Sequence, residues 1–268
     1  MHSRAQLRRS TVEVTSALGH AGRTRTNRGG RYVIQSPSRP TADLLHQGHT
    51  VLISEQDGQI NWPSDKGLYF FDTRLVSSWA VYANGEGWEL LNGGAIDYYA
   101  SRIFLTNRSL LTEDGTIPQR TLGLTVSRWI SGGMHEDLDV TNNSMKPVKF
   151  QLEIVLRCDF ADIFEVKSEH IVRRGRITTD WSETHQRLRT TYRNHDFSRA
   201  VTISTARSPT SAVYANGRLS FEVVSNRGRH GIAASFMRWQ TATDILPPRP
   251  TASVKPISRT TPRRWRTG

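Results

Sequence analysis

From Val148 to Leu156 the chain alternates. Val148, Phe150, Leu152, Ile154 and Leu156 are interleaved with Lys149, Gln151, Glu153 and Val155. A period of two puts one apolar row on one face of an extended strand and gives a helix no apolar stripe to bury. The same alternation recurs at Leu122, Leu124 and Val126. It resumes after Ser131-Gly132-Gly133 at Met134, Glu136, Leu138 and Val140, which predicts an antiparallel hairpin. Asn84-Gly85 separates residues 75–82 from 88–91, and Asn216-Gly217 separates 212–214 from 219–224. Asn-Gly suits tight hairpin turns because both central positions need positive φ. Asp57-Gly58 is a further turn signal between 51–54 and Ile60. No segment carries a sustained helical stripe with caps, and no fixed-period repeat is present. The expected fold class is all-β, an antiparallel two-sheet β-sandwich.

The formal charge of +12 at first suggests an acidic partner, but its distribution argues otherwise. Residues 1–40 hold eight Arg and one acid, and residues 249–268 hold five Arg, one Lys and no acid. The middle, 41–248, carries 22 bases and 23 acids and is close to neutral. Residues 1–40 and 241–268 therefore read as disordered basic tails around a folded domain at 41–240. Arg outnumbers Lys 31 to 5, a bias that codon usage alone produces. A domain of this size buries roughly 70% of its unfolded surface and needs no metal or disulfide staple. The single Cys158 excludes an intrachain disulfide and any zinc site with two thiolates. No apolar run is long enough to cross a membrane as a helix. Arg8-Arg9 is followed by a stretch containing Glu13, Thr15, Ser16 and His20, which is no signal-peptide apolar region, so a cytoplasmic location is expected. The sequons at Asn107 and Asn142 then carry no chemical meaning.

Two blocks stand out. The first runs from Gly67 through Leu68, Tyr69, Phe70, Phe71, Asp72, Thr73 and Arg74 to Leu75. Asp72 can accept backbone N–H bonds in a tight turn, and Arg74 can hold a carboxylate bidentately. An ordered corner between strands is one reading, and a ligand or domain contact is the other. The second block runs from Cys158 through Asp159, Phe160, Ala161, Asp162, Ile163, Phe164 and Glu165 to Val166. Its acids recur every third residue and its two rings every fourth. In one helical turn the carboxylates share one face and the rings another. Carboxylate pairs hydrolyse glycosides when held about 5–5.5 Å or about 6.5–9.5 Å apart, but sequence spacing fixes neither distance. Pairing with Arg157, Lys167, Arg173 or Arg174 is the structural alternative.

Other candidates are weaker. His46 and His49 form the one close histidine pair, without further ligands in a metal pattern. No nucleophile elbow and no phosphate-binding glycine pattern occurs. Cys158 lies beside Asp159, which raises a thiol pKa, so a structural role is expected. Trp62 and Trp88 flank turns and are candidate sugar-stacking platforms, whereas Trp79 and Trp129 fall on strand patterns.

The two blocks, with their order and spacing, resemble the N-terminal domain of bacterial and archaeal glycogen debranching enzymes of the amylo-α-1,6-glucosidase type. The shared pattern is Gly67 to Arg74, then Asn84-Gly85, then Asp159 to Val166. Pro118, Arg128 and Asn142 fall where that family has a proline, an arginine and an asparagine. The resemblance covers roughly residues 45–239. It implies a β-sandwich that precedes a helical (α/α)6 barrel carrying the catalytic carboxylates. This chain runs from Trp239 into Pro247, Pro248 and the basic tail, so the resemblance places no catalytic residue and no cofactor on it. Lys167 stands where the family has Arg, and Asp137 where it has the Arg of a Glu-Arg pair. The implied role is an accessory domain for an α-glucan enzyme, partnered by a separate catalytic barrel chain or by self-association. An independent carbohydrate-binding module is the alternative. Nucleic-acid binding through the tails is the least favoured, because no aromatic-basic interleaving accompanies the charge.

Overall fold

The computed structural model describes residues 42–206, 208, 210–226 and 230–241, the last stretch as backbone. The chain divides into two units, Met1–Thr41 and Ala42–Gly268, and the following concerns the second. The expected basic tails lie outside the described residues, except that Thr241 ends the last strand.

Strands dominate. The first hairpins are β1 (Asp43–Gln47) with β2 (Thr50–Ser54) and β3 (Gly67–Phe70) with β4 (Thr73–Val76). Then come β5 (Ser78–Ala83), the long β6 (Glu86–Asp97) and β7 (Ala100–Asn107). A small hairpin, β8 (Leu110–Thr112) and β9 (Gly115–Ile117), precedes β10 (Leu122–Ile130) and β11 (Met134–Asn142). After β12 (Val148–Arg157) lie the short β13 (Ala161–Asp162) and one helix, α1 (Ile163–Lys167). The last six strands are β14 (Arg176–Ser182), β15 (Arg187–Asn194), β16 (Phe197–Ala206), β17 (Val213–Ala215), β18 (Arg218–Ser225) and β19 (His230–Thr241).

Twelve strands form one antiparallel sheet in the order β14-β15-β16-β19-β11-β10-β7-β6-β5-β12-β18-β17. A second sheet has the order β1-β2-β3-β4-β13. Leu124, Val126, Leu138 and Val140 from one arm of the large sheet share a single core with Leu152, Ile154, Leu219 and Phe221 from the other. The large sheet therefore curls around that core. Leu45, Leu52, Leu68 and Leu75 of the small sheet pack into the same cluster. The fold is the all-β sandwich expected from the alternation.

The turn signals act as their chemistry requires. Asn84 and Gly85 have φ of 47° and 80°, and Asn216 and Gly217 have 51° and 76°. Both pairs make tight hairpin turns of the type that demands positive φ twice. The predicted β10–β11 hairpin pairs Leu124 with Val140 and Val126 with Leu138. It also pairs Arg128 with Glu136, and this ion pair is buried, Glu136 being 0% exposed. Trp79 donates its indole N–H to Glu136 Oε1 at 2.8 Å, and Arg128 Nη1 reaches the carbonyl of Gly58 at 2.9 Å. The Asp at position 137 thus leaves Glu136 with a cationic partner across the hairpin.

Candidate functional site

The two motif blocks, about 85 positions apart, meet at one corner of the fold. The first block passes along β3, turns at Phe71 with φ of 51°, and returns along β4. The second leaves β12, bends at Phe160 with φ of 53°, and enters β13. There Ala161 pairs with Arg74 and Asp162 with Thr73. Ile163 then donates its N–H to the carbonyl of Asp72 at 2.8 Å.

Arg74 is the centre of this corner and is 1% exposed. Its Nε lies 3.3 and 3.1 Å from the two oxygens of Asp159, and its Nη2 lies 2.5 Å from Oδ2. Its Nη1 donates to the carbonyl of Ser64 at 2.6 Å. All three guanidinium nitrogens are thus engaged, as a buried cation requires. Gly67 makes room for this: a Cβ there would stand 2.6 Å from Arg74 Cδ and 2.6 Å from the Val76 carbonyl oxygen. Tyr69 donates to the carbonyl of Asp65 at 2.6 Å, and burial pushes its phenol upward against the opposing pull of Arg74.

The three acids of the second block do not share a helix face. Asp159 precedes β13 and belongs to Arg74. Asp162 is the N-cap of α1 and accepts from Phe164 N at 2.8 Å, while Glu165 reaches back to Asp162 N at 3.4 Å. That reciprocal pair is a capping box. The other oxygen of Glu165 holds Arg174 in an ion pair. The rings are split as well. Phe160 is buried and stacks on Tyr192 at 5.6 Å, whereas Phe164 is 75% exposed. Burial pushes the Cys158 thiol up to about 12, with a hydrogen bond from Thr190 opposing and the charge of Asp159 adding to the rise.

The two tryptophan candidates part company. Trp88 is 7% exposed and packs edge-to-face on Phe150 at 6.4 Å, so it offers no face to a sugar. This corrects the sequence reading. The turn at 84–85 is too tight to carry a residue three positions on out of the sheet. Trp62 is 41% exposed, with the guanidinium carbons of Arg157 and Arg74 at 5.0 and 5.6 Å from its ring centre. His49 stacks on Phe71 at 4.1 Å and His46 packs on Tyr98 at 5.4 Å. Among the described residues no group of three or more His, Cys, Asp or Glu could hold a metal ion.

Residues the motifs did not flag complete the corner. A cavity of about 180 Å³ opens beside Asp159 and Glu165 and is walled by Ile171, Val172, Tyr192 and Phe197. Arg199 lies over the rings of Phe197 and Phe70 at 5.2 and 5.8 Å and donates to the carbonyl of Phe70 at 3.3 Å. Alternation of Leu188, Thr190 and Tyr192 was the available signal for this wall. A larger cleft of about 670 Å³ lies elsewhere, between the β8–β9 hairpin and β12. Its charges largely satisfy one another, with Lys149 on Glu222 at 3.1 Å and Arg218 on Glu153 at 2.7 Å.

A family model for the N-terminal domain of (some) glycogen debranching enzymes matches residues 45–229. The chain belongs to this family. The corner joining Arg74 to Asp159 lies within the matched residues. Among solved structures, a protein described as a kojibiose phosphorylase from human microbiome superposes with a TM-score of 0.50 at 9% identity. That superposition covers 75% of this chain and 30% of the other, and it shows a shared fold. The Slr1438 protein of Synechocystis sp. PCC 6803 gives a TM-score of 0.47 at 10% identity, covering 78% of this chain and 99% of its own. No curated protein matches the sequence.

Proposed function

We propose that this glycogen-debranching-type domain is a non-catalytic accessory module. It supports and positions an α-glucan for an (α/α)6 barrel supplied as another chain or domain. The observation that carries this reading is the commitment of the motif carboxylates. Asp159 is held bidentately by Arg74, and Glu165 is divided between the helix cap and Arg174. A glycosidase needs two carboxylates free to exchange protons or attack across one sugar. These carboxylates instead hold a corner together. Purified protein incubated with an α-1,6-branched glucan is expected to release no glucose, and release would overturn the proposal.

A second reading, direct carbohydrate binding, is favoured by Trp62, whose exposed ring could stack on a sugar. Electrophoresis through glycogen-containing gels separates the two. Retarded migration that Trp62→Ala abolishes would support binding by this domain, and unretarded migration would leave it a scaffold.

A further inference from the structure

The corner carries an exposed apolar strip that the proposed function does not use. Phe164, Ile171, Val172, Phe197 and Phe71 are all exposed. They are continuous. Val172 and Phe197 wall the small cavity, and Val172 and Phe164 line an adjoining open groove of about 550 Å³. Arg199, spanning the rings of Phe197 and Phe70, links the strip to Phe71. Contiguous apolar surface of this kind marks interaction sites rather than the scattered single residues of ordinary surfaces.

The charge left unpaired in its two grooves is basic. The acids lining the two grooves are all engaged: Asp159 with Arg74, Asp162 with the helix N-terminus, Glu165 with Arg174. Of the groove cations, Arg174 is spent on Glu165, whereas Lys167 in one groove and Arg173 in the other form no ion pair among the described residues. Two copies meeting through this strip would bring like charges together around the apolar centre. A partner that presents carboxylates would meet Lys167 and Arg173, one in each groove.

The geometry points to a docking surface here for an apolar protein face rimmed by carboxylates, with Phe164 and Val172 as its anchors. This rests on the accessory reading, since such a face is what a catalytic partner would have to present. It adds the location and the chemistry of the contact. Apolar anchors supply affinity, while the rim selects the partner by sign of charge.

The test uses two fluorescein-labelled amphipathic helical peptides of about 18 residues, or five turns. They share a Leu/Phe stripe and differ only in flanking Glu or flanking Lys. Anisotropy titration with the full chain is expected to give saturable binding of the Glu peptide, roughly tenfold tighter than the Lys peptide. Phe164→Asp and Val172→Asp should abolish it. Leu111→Asp, an equally exposed apolar site on the β8–β9 hairpin, should leave it unchanged. Lys167→Glu with Arg173→Glu should invert the preference. Circular dichroism verifies that each variant is folded. No binding, equal binding of both peptides, or indifference to Phe164→Asp overturns the surface. So does sedimentation showing a dimer that Phe164→Asp dissolves. Glucose release by the chain would instead sink the accessory reading and leave these titrations interpretable.

Discussion

Arg74 and Asp159 show what one buried pair asks of its surroundings. Removing one partner leaves the other desolvated and unpaired, which costs far more than the pair contributes when whole. Asp159→Ala is expected to lower unfolding free energy by about 3–5 kcal/mol, read from urea denaturation. Lysine cannot stand in for Arg74, because a point charge cannot serve Asp159 and the Ser64 carbonyl with a planar fork. Cys158 makes a separate claim. Its thiol is held up at about 12 against an ordinary 9.0, so the folded chain keeps a proton that the unfolded chain loses. The stability from this site is complete below the unfolded thiol's value. It falls as pH rises from there to about 12. At about pH 8 a disulfide reagent should label Cys158 more slowly in the folded chain than in the urea-unfolded chain.

At the level of elements, α1 is five residues long and could not persist alone in water. It stands because β13 delivers Asp162 as its cap and because Val166 is buried against Tyr69 and Ala161. Asp162→Ala should cost about 1 kcal/mol, seen as a lowered Tm, with the sandwich intact by circular dichroism. Elements like these set the limit of what the sequence reveals. The hairpins around Asn84-Gly85 and Asn216-Gly217 were legible because turn chemistry and alternation agreed. So was the apolar face of β10 and β11, including the inward Glu136. The strands β14 to β16 were not singled out. Arg176–Ser182 is mostly exposed and polar, and it shows little of the contrast that alternation needs. The motif blocks were visible as blocks, yet the acids at every third position suggested one helical turn. Phe160, at φ of 53°, breaks that spacing before the helix begins. The Arg74–Asp159 contact joins residues far apart in the chain, and local pattern holds no record of it.

At the scale of the molecule, the near-neutral middle of the chain became a single curled sheet closed by a smaller one. The two sequence blocks hold the small sheet and the helix to β12, and the apolar strip lies where they meet. One feature of the large sheet has a mechanical side. Its two arms are joined through β5 and β6, and that junction consists of two residue pairs, Tyr82 with Gly87 and Ala83 with Glu86. Every other long-strand junction in the sheet is a broad ladder by comparison. The Asn84-Gly85 turn is therefore the spine of a book whose covers are kept shut by the shared core. A tug that spreads the covers concentrates its load on that short spine, whereas a tug along the strands is spread over whole ladders.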